Sequence, residues 1–266
     1  MIVEKDADLD LLRKSGKLAG EVLEMLSKAV EPGMTTWELD QLAEKTIRDA
    51  GALPTFKGYR DFPASICVSI NEEIVHGIPD KKRELKDGDV LSIDLGVTFQ
   101  RVEGSKTLDL IADTAVTVPV GNVAPRLEQL LEDTKQALYA GIGASRGGNT
   151  LDDIGGAIEA VGDTGAYGIV REYGGYGLGY VLHEEPFIFN YRTGSKTKLK
   201  PGMVIAIEPM FNLGGERTRL KRDGWTVVTV DYKPSAHFEH SILVTENEPE
   251  ILTKRPTEVV GWPSKA

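Results

Sequence analysis

The sequence predicts an α+β fold made of two related halves, and three observations support this prediction. The first is a strand motif that occurs in residues 85–97 (LKDGDVLSIDLGV) and again in residues 199–210 (LKPGMVIAIEPM). Each copy has a Lys-X-Gly turn, a short apolar run and then one carboxylate, a pattern typical of a buried strand. When the two copies are superposed, Asp94 falls on Glu208.

The second observation is a helix boundary that recurs at a matching offset. Residues 33–39 (GMTTWEL) and 148–154 (GNTLDDI) each pair a glycine that can end one helix with a threonine that can cap the next. The third is an acid that opens an apolar strand, Asp113 in the first half and Glu239 in the second. A buried carboxylate is costly to desolvate without a positive partner, so these matching acids predict one cation site between the halves.

Helical and strand patterns fill the chain between these motifs. Apolar spacing predicts helices at residues 6–29, 35–50, 126–140 and 150–161. The second half also contains a predicted hairpin over residues 217–230 that turns at Asp223-Gly224. The sequence has no linker or low-complexity tract, so we expect one domain, residues 1–266, with halves of about 7–122 and 123–250.

Composition limits the classes of function. The 266 residues carry a formal net charge of −10, whereas a nucleic-acid surface would need clustered basic residues. The one cysteine, Cys67, cannot form an intrachain disulfide, and the charged first residues do not resemble a signal peptide. No apolar run has the length of a membrane span. We therefore expect a cytoplasmic monomer without a nucleic-acid or membrane partner.

Acids on the predicted strands form an oxygen-rich ligand set: Asp94, Asp113, Glu208 and Glu239. Such a set suits a pair of Mn, Fe, Co or Zn ions, which together activate water and polarise a carbonyl. A lone histidine is more often structural than catalytic, but His76 and His183 each precede an acid strand of their own half, and this matched placement makes a functional role as well supported as a structural one. A duplicated fold with merely solvated acids remains the alternative at this point.

Seven motifs resemble those of methionine aminopeptidases of the short bacterial type: VHGIP, SIDLGV, ADTAVTVPVG, HEEP, KPGMVIAIEP, DGWTVVT and FEHSILVT. The resemblance covers nearly the whole chain. It implies a pita-bread fold, in which two pseudo-twofold-related α+β halves surround a curved, mostly antiparallel sheet. It also implies that two divalent ions, Co, Mn, Fe or Zn, support the release of N-terminal methionine from peptides and nascent proteins.

The resemblance assigns roles to individual residues. The implied metal ligands are Asp94, Asp113, Glu208 and Glu239. Asp113 and Glu239 would bridge the ions, and Glu208 would also assist as a general base. His76 and His183 would contact the scissile peptide and stabilise the tetrahedral intermediate. The implied methionine pocket consists of Phe56, Tyr59, Phe62, Cys67 and Trp225, for which core packing is the alternative.

Two features depart from the family pattern. The family has a histidine ligand within GHGIG, whereas residues 175–179 read GYGLG and place Tyr176 at that position. A neutral phenol is a poor ligand because it ionises at about pH 10. The second departure is an insertion, residues 101–109 (RVEGSKTLD). We favour a lengthened surface hairpin over a segment that brings Glu103 or Asp109 into the cleft.

Three functional interpretations follow. The leading one is a metal-dependent methionine aminopeptidase. The second is a catalytically impaired homologue that binds peptides or partners without cleaving them, which Tyr176 would explain. The third is a proline-directed relative such as a prolidase or aminopeptidase P, although those resemble longer chains with an added N-terminal domain. The presence of all the predicted carboxylates and of His76 and His183 favours the first.

Overall fold

A computed structural model describes residues 2–3 and 5–260 of the chain. The helices are α1 (Asp6–Ala29), α2 (Thr36–Asp49), α3 (Pro125–Ala144) and α4 (Leu151–Gly165), with a short 3-10 turn at Tyr59–Asp61. The strands are β1 (Leu53–Pro54), β2 (Cys67–Ile70), β3 (Glu73–Val75), β4 (Val90–Glu103), β5 (Lys106–Pro119), β6 (Gly168–Ile169), β7 (Gly175–Gly177), β8 (Glu184–Ile188), β9 (Val204–Ile207), β10 (Met210–Asn212), β11 (Thr218–Leu220), β12 (Val227–Thr229), β13 (Ser235–His237), β14 (Glu239–Leu243) and β15 (Glu250–Ile251). Over these described ranges, no helix combines the length and apolar character that crossing a membrane would require.

One nine-stranded antiparallel sheet forms the centre of the molecule. Its strand order is β1-β4-β5-β14-β9-β7-β8, with β2 also paired to β4 and β15 to β14. The β4–β5 hairpin of the first half meets the β14–β9 pair of the second half where β14 runs antiparallel to β5. Two smaller sheets flank it, β13-β10-β6 and β11-β12-β3. The prediction of an α+β class with a mostly antiparallel sheet is confirmed.

The two halves use the same devices at their helix boundaries. Gly33 and Gly148 have left-handed backbones, with φ of 92° and 88°. Thr35 and Thr150 follow them and begin α2 and α4 with capping boxes, in which the threonine and the third helical residue satisfy each other's backbone N–H groups. The predicted threonine caps are therefore confirmed at both sites. The preceding helices α1 and α3 end before the two glycines are reached, so these glycines turn the chain and do not end a helix. The residue limits of the halves stay a prediction.

Alternate side chains of β4 point to the two faces of the sheet, one toward the main core and the other toward the candidate site. Leu91, Ile93 and Leu95 are fully buried in the main hydrophobic core, where α1 packs against β4 and β5. Alternate residues of a strand point to opposite faces, so Asp94 points away from this core. Its register partner on β2 is Cys67. The sheet therefore carries its helices on one face and its carboxylates on the other.

The β4–β5 hairpin is longer than the sequence predicts. The two strands pair continuously over their full length, so Asp94 and Asp113 lie within long strands, not at a strand end and a strand start. The tip of the hairpin contains the insertion at residues 101–109. There Glu103 forms an ion pair with Lys5, and Asp109 accepts a hydrogen bond from Gln100. The predicted surface hairpin is confirmed, and neither inserted acid reaches the cleft.

Candidate active site

Three carboxylates come together on the cleft face of the sheet. Asp94, Asp113 and Glu239 each offer an oxygen within 4.8 Å of the others. They project from β4, β5 and the start of β14, which are neighbouring strands. All three are buried, and Asp94 is the most exposed at 9%. Glu208, which directly follows β9, lines the same cavity. The four acids predicted from the repeat are thus brought to one place.

Burial raises the pKa of the three clustered carboxyls, and the negative charge of Glu208 adds to the effect in each case. The pKa of Asp113 rises to about 6, and those of Asp94 and Glu239 rise well above their ordinary values. Oδ1 of Asp94 has no hydrogen-bond partner among the described residues. A divalent cation would offset the repulsion and bind this oxygen, so the donor set fits a metal ion.

Tyr176 lies beside these carboxylates. Gly175 allows this, because a Cβ at its position would lie 2.2 Å from the carbonyl oxygen of Ala206 on β9. The Tyr176 hydroxyl donates a hydrogen bond to Oδ2 of Asp113 at 2.7 Å and lies 3.2 Å from Oε1 of Glu239. Burial, followed by the charges of these two acids, holds the pKa of the phenol well above its ordinary value. Without a cation, the side chain is therefore a neutral hydrogen-bond donor.

His76 and His183 line the cavity from the two halves of the chain. Both have left-handed backbones, with φ of 60° and 62°, a strained geometry that clusters at functional sites. His76 packs edge-on against Tyr173 and Trp225, and Nδ1 of His183 lies 3.1 Å from the Tyr59 hydroxyl. Burial lowers the pKa of His76 to about 4 and also lowers the pKa of His183. Both imidazoles are therefore neutral at pH 7.

The residues predicted to form a methionine pocket surround the same cavity, which has a volume of about 430 Å³: Phe56, Tyr59, Phe62, Cys67 and Trp225. The rings of Phe62 and Trp225 pack edge to face, with centroids 5.0 Å apart. Burial, followed by the charge of Asp94, raises the pKa of the Cys67 thiol, so the thiol stays neutral. The structure therefore brings all five residues together as one largely apolar wall beside the carboxylates.

Sequence reasoning missed one cavity residue that touches the acids. His237 is 1% exposed, and its Nε2 lies 3.3 Å from Oε2 of Glu208. Its position two residues before Glu239 could have predicted this, because residues two apart on an extended chain point to the same face. The other polar residues that line the cavity without a predicted role are Arg60, Glu172, Tyr173, Glu184 and Glu185.

The raised carboxyl pKa values predict that the metal-free protein loses stability as the pH rises. Between about pH 4 and pH 6 the folded Asp113 binds more protons than the unfolded one, so the free energy of unfolding falls across this window. In chelator, calorimetry should show a steeper fall in Tm from pH 4 to pH 7 for wild type than for Asp113→Asn. Equal pH dependence in the two proteins would contradict this electrostatic account.

Comparison with known proteins identifies the family. Residues 10–246 match the family model described as metallopeptidase family M24. The chain belongs to metallopeptidase family M24. This M24 chain is 45% identical over 255 residues to methionine aminopeptidase 1 of Bacillus subtilis strain 168, a match that covers 96% of this chain and 99% of that protein. It also resembles the crystal structure of methionine aminopeptidase from Rickettsia prowazekii, with a TM-score of 0.88, 41% identity, and coverage of 95% and 100%.

These M24 comparisons decide between the interpretations of the sequence. The pita-bread fold is confirmed, and membership of a metallopeptidase family implies dependence on a divalent metal. The prolidase of Pyrococcus horikoshii OT3 has a TM-score of 0.72 at 20% identity, and the chain covers 65% of it, so that similarity shows the fold alone. The impaired-homologue interpretation is not favoured, because every predicted carboxylate and both predicted histidines line one cavity.

Proposed function

We propose that this M24 chain is a methionine aminopeptidase that releases N-terminal methionine from peptides and nascent proteins. The observation that carries the proposal is the buried group of Asp94, Asp113 and Glu239 at a cavity with a largely apolar wall. Relatives named methionine aminopeptidase support it, at 45% identity in Bacillus subtilis and 42% in Clostridium acetobutylicum, over nearly the whole chain.

The proposed metal centre holds two divalent ions of the Co, Mn, Fe or Zn class. Asp94, Asp113, Glu208 and Glu239 would hold them. Such ions, when bound, polarise a carbonyl and activate water. Glu208 also serves as the general base that accepts a proton. Its position directly after β9 at the cavity supports this role, because its carboxylate lines the same space as the clustered acids.

His76 and His183 act on the peptide in this proposal. A neutral imidazole has one N–H donor and one acceptor nitrogen, and both rings are held neutral by burial. Each can therefore donate a hydrogen bond to the substrate and stabilise negative charge that develops on the scissile carbonyl oxygen. The Tyr59 hydroxyl at 3.1 Å from Nδ1 of His183 restrains that ring and so favours one orientation.

The apolar wall binds the methionine side chain. Phe56, Phe62 and Cys67 are buried, and Tyr59 and Trp225 are partly buried around the cavity. Aromatic rings make favourable contacts with a thioether sulfur, and an unbranched side chain fits between them with few rotamer restrictions. A Lys side chain would bury its ammonium against the same wall without a partner, which is costly.

Selectivity for the N-terminal residue tests this proposal. We expect kcat/KM to be more than about 10-fold higher for a Met-initiated peptide than for otherwise identical Lys- and Pro-initiated peptides. The reason is that an apolar pocket distinguishes substrates by about 1–3 kcal/mol for each methylene by which their side chains differ. A norleucine-initiated peptide is the matched control, because it keeps the shape and loses the sulfur. Equal turnover of the Met, Lys and Pro peptides would refute the assignment.

We further propose that the chain acts as a monomer in the cytoplasm, without a nucleic-acid or membrane partner. The net charge of −10 supports the absence of a nucleic-acid surface, and the single, buried Cys67 fits a reducing compartment. Light scattering should give one species of 29.0 kDa. A stable species of twice that mass would reject the monomer.

A further inference from the structure

His237 is a buried imidazole that the proposed mechanism does not use. It ends β13 and stands two residues before Glu239. Residues two apart on an extended chain point to the same face, and both side chains line the cavity that contains the carboxylates. Phe238, which lies between them, is packed in the main hydrophobic core on the opposite side. The chain therefore directs His237 at the site and away from the core.

Both ring nitrogens of His237 lack a hydrogen-bond partner within the part of the chain that the structure describes. The side chain is almost completely buried, so each nitrogen carries the desolvation cost of an unpaired polar group. Nε2 lies 3.3 Å from Oε2 of Glu208 but without the alignment of a hydrogen bond. An imidazole nitrogen beside a carboxylate oxygen is a ligand pair that a transition-metal ion would satisfy.

The backbone fixes this pair in place. Met210 is the register partner of His237, and Ile207 is the register partner of His240. Glu208 stands between these two pairings, next to the segment that joins β13 to β14. His237 is thus the last residue of a paired strand, and Glu208 lies in the two-residue segment between the paired strands β9 and β10, which restrain its position.

Because Tyr176 offers no nitrogen ligand, a nitrogen ligand for a metal ion has to come from another strand. The Tyr176 hydroxyl already contacts Asp113 and Glu239, so it caps the carboxylates as a neutral donor. The other proposed ligands are all carboxylates, and an all-oxygen set also suits Mg²⁺ and Ca²⁺. An imidazole would shift the preference toward Mn, Fe, Co and Zn.

We propose that His237 and Glu208 form the nitrogen-and-oxygen ligand pair of a second divalent-cation site, beside the ion held by Asp94, Asp113 and Glu239. This inference rests on the proposed function only in that it completes the same metal centre. His237 thereby supplies the imidazole that Tyr176 does not.

Pulsed electron paramagnetic resonance of bound Mn²⁺ detects a coordinated nitrogen without any need for catalysis. The full chain, stripped of metal and loaded with two equivalents of Mn²⁺, should show nitrogen modulation that His237→Gln removes. His183→Gln is the matched control, because it removes another cavity imidazole and should keep the modulation.

Calorimetric titration measures the affinity for each ion. His237→Gln should weaken the binding of the second Mn²⁺ ion about 10-fold and leave the binding of the first unchanged. In the His237→Gln background, Tyr176→His should restore the lost affinity.

Two results would overturn the proposal. One is wild-type protein labelled with ¹⁵N-histidine that binds two Mn²⁺ ions and shows no ¹⁵N coupling, a measurement that requires no variant. The other is modulation that persists in His237→Gln and disappears in His183→Gln. The proposed function is tested separately. If the protein hydrolyses methionyl peptides but shows no nitrogen coupling, the proposed function stands and the His237 site is rejected. If the protein shows the coupling but hydrolyses no methionyl peptide, the His237 site stands and the proposed function is rejected.

Discussion

Replacing Asp94 with alanine is expected to lower tight metal uptake and methionine release by more than about 100-fold, because even the loss of an outer-shell partner costs about 10–100-fold. Asp94 is one of three carboxylates within 4.8 Å of one another, and its Oδ1 has no hydrogen-bond partner among the described residues. The remaining acids would hold an ion with fewer oxygens. Mass spectrometry of metal content after dialysis and a methionyl-peptide assay measure the two effects.

Asp109→Ala is the matched control for this experiment. Asp109 lies on the same β4–β5 hairpin, but its carboxylate accepts a hydrogen bond from Gln100 outside the cleft. Its loss should change neither metal content nor activity. Asp94→Ala should fold normally without metal, because it removes a buried carboxyl whose ionisation is unfavourable. Metal content in Asp94→Ala equal to that of wild type would refute the ligand assignment.

Replacing Tyr176 with histidine is expected to strengthen binding of the second ion and to raise the rate of methionine release by about 10-fold or more. The substitution exchanges a neutral phenol, held 2.7 Å from Oδ2 of Asp113, for a nitrogen ligand next to the same carboxylates. Saturating Mn²⁺ or Co²⁺ in the peptide assay separates a change in rate from a change in affinity. Tyr176→Phe serves as the control, because it removes the hydroxyl without adding a nitrogen.

The opposite outcome has a clear meaning. If wild type binds the second ion as tightly as Tyr176→His and turns over peptides at the same rate, Tyr176 does not limit the site. His237 would then supply the nitrogen ligand of the second ion by itself, or the phenol would lose its proton when a cation binds, against the burial and the acid charges that raise its pKa in the metal-free protein.

Much of the fold and of the acid set could be predicted because both follow from local patterns. Capping threonines, glycines with positive φ and apolar periodicity are encoded within a few residues, as at Thr35 and Thr150. The internal repeat by itself puts Asp94 and Glu208 at equivalent positions of the two halves. The predicted pocket residues also gather around one cavity, because their motifs flank the strands that form it.

Other features depend on long-range packing, which the sequence pattern does not report. The continuous pairing of β4 with β5 moves Asp94 and Asp113 into strand interiors, although each apolar run by itself is short. Among the described residues, the two ring nitrogens of His237 have no hydrogen-bond partner. This depends on the residues that surround the ring in the fold and not on its neighbours in sequence. Likewise, the sequence pattern indicates a lost ligand at Tyr176, whereas in the fold this residue is a hydrogen-bond donor to Asp113.

The most direct test of the central claim measures methionine release from a methionyl peptide by wild-type chain that has been stripped of metal. We predict negligible release in chelator, recovery when Mn²⁺ or Co²⁺ is added, and no recovery in Asp94→Ala under the same conditions. Release that continues at full rate in chelator, or that Asp94→Ala recovers as well as wild type does, would contradict a metal centre built on Asp94, Asp113 and Glu239.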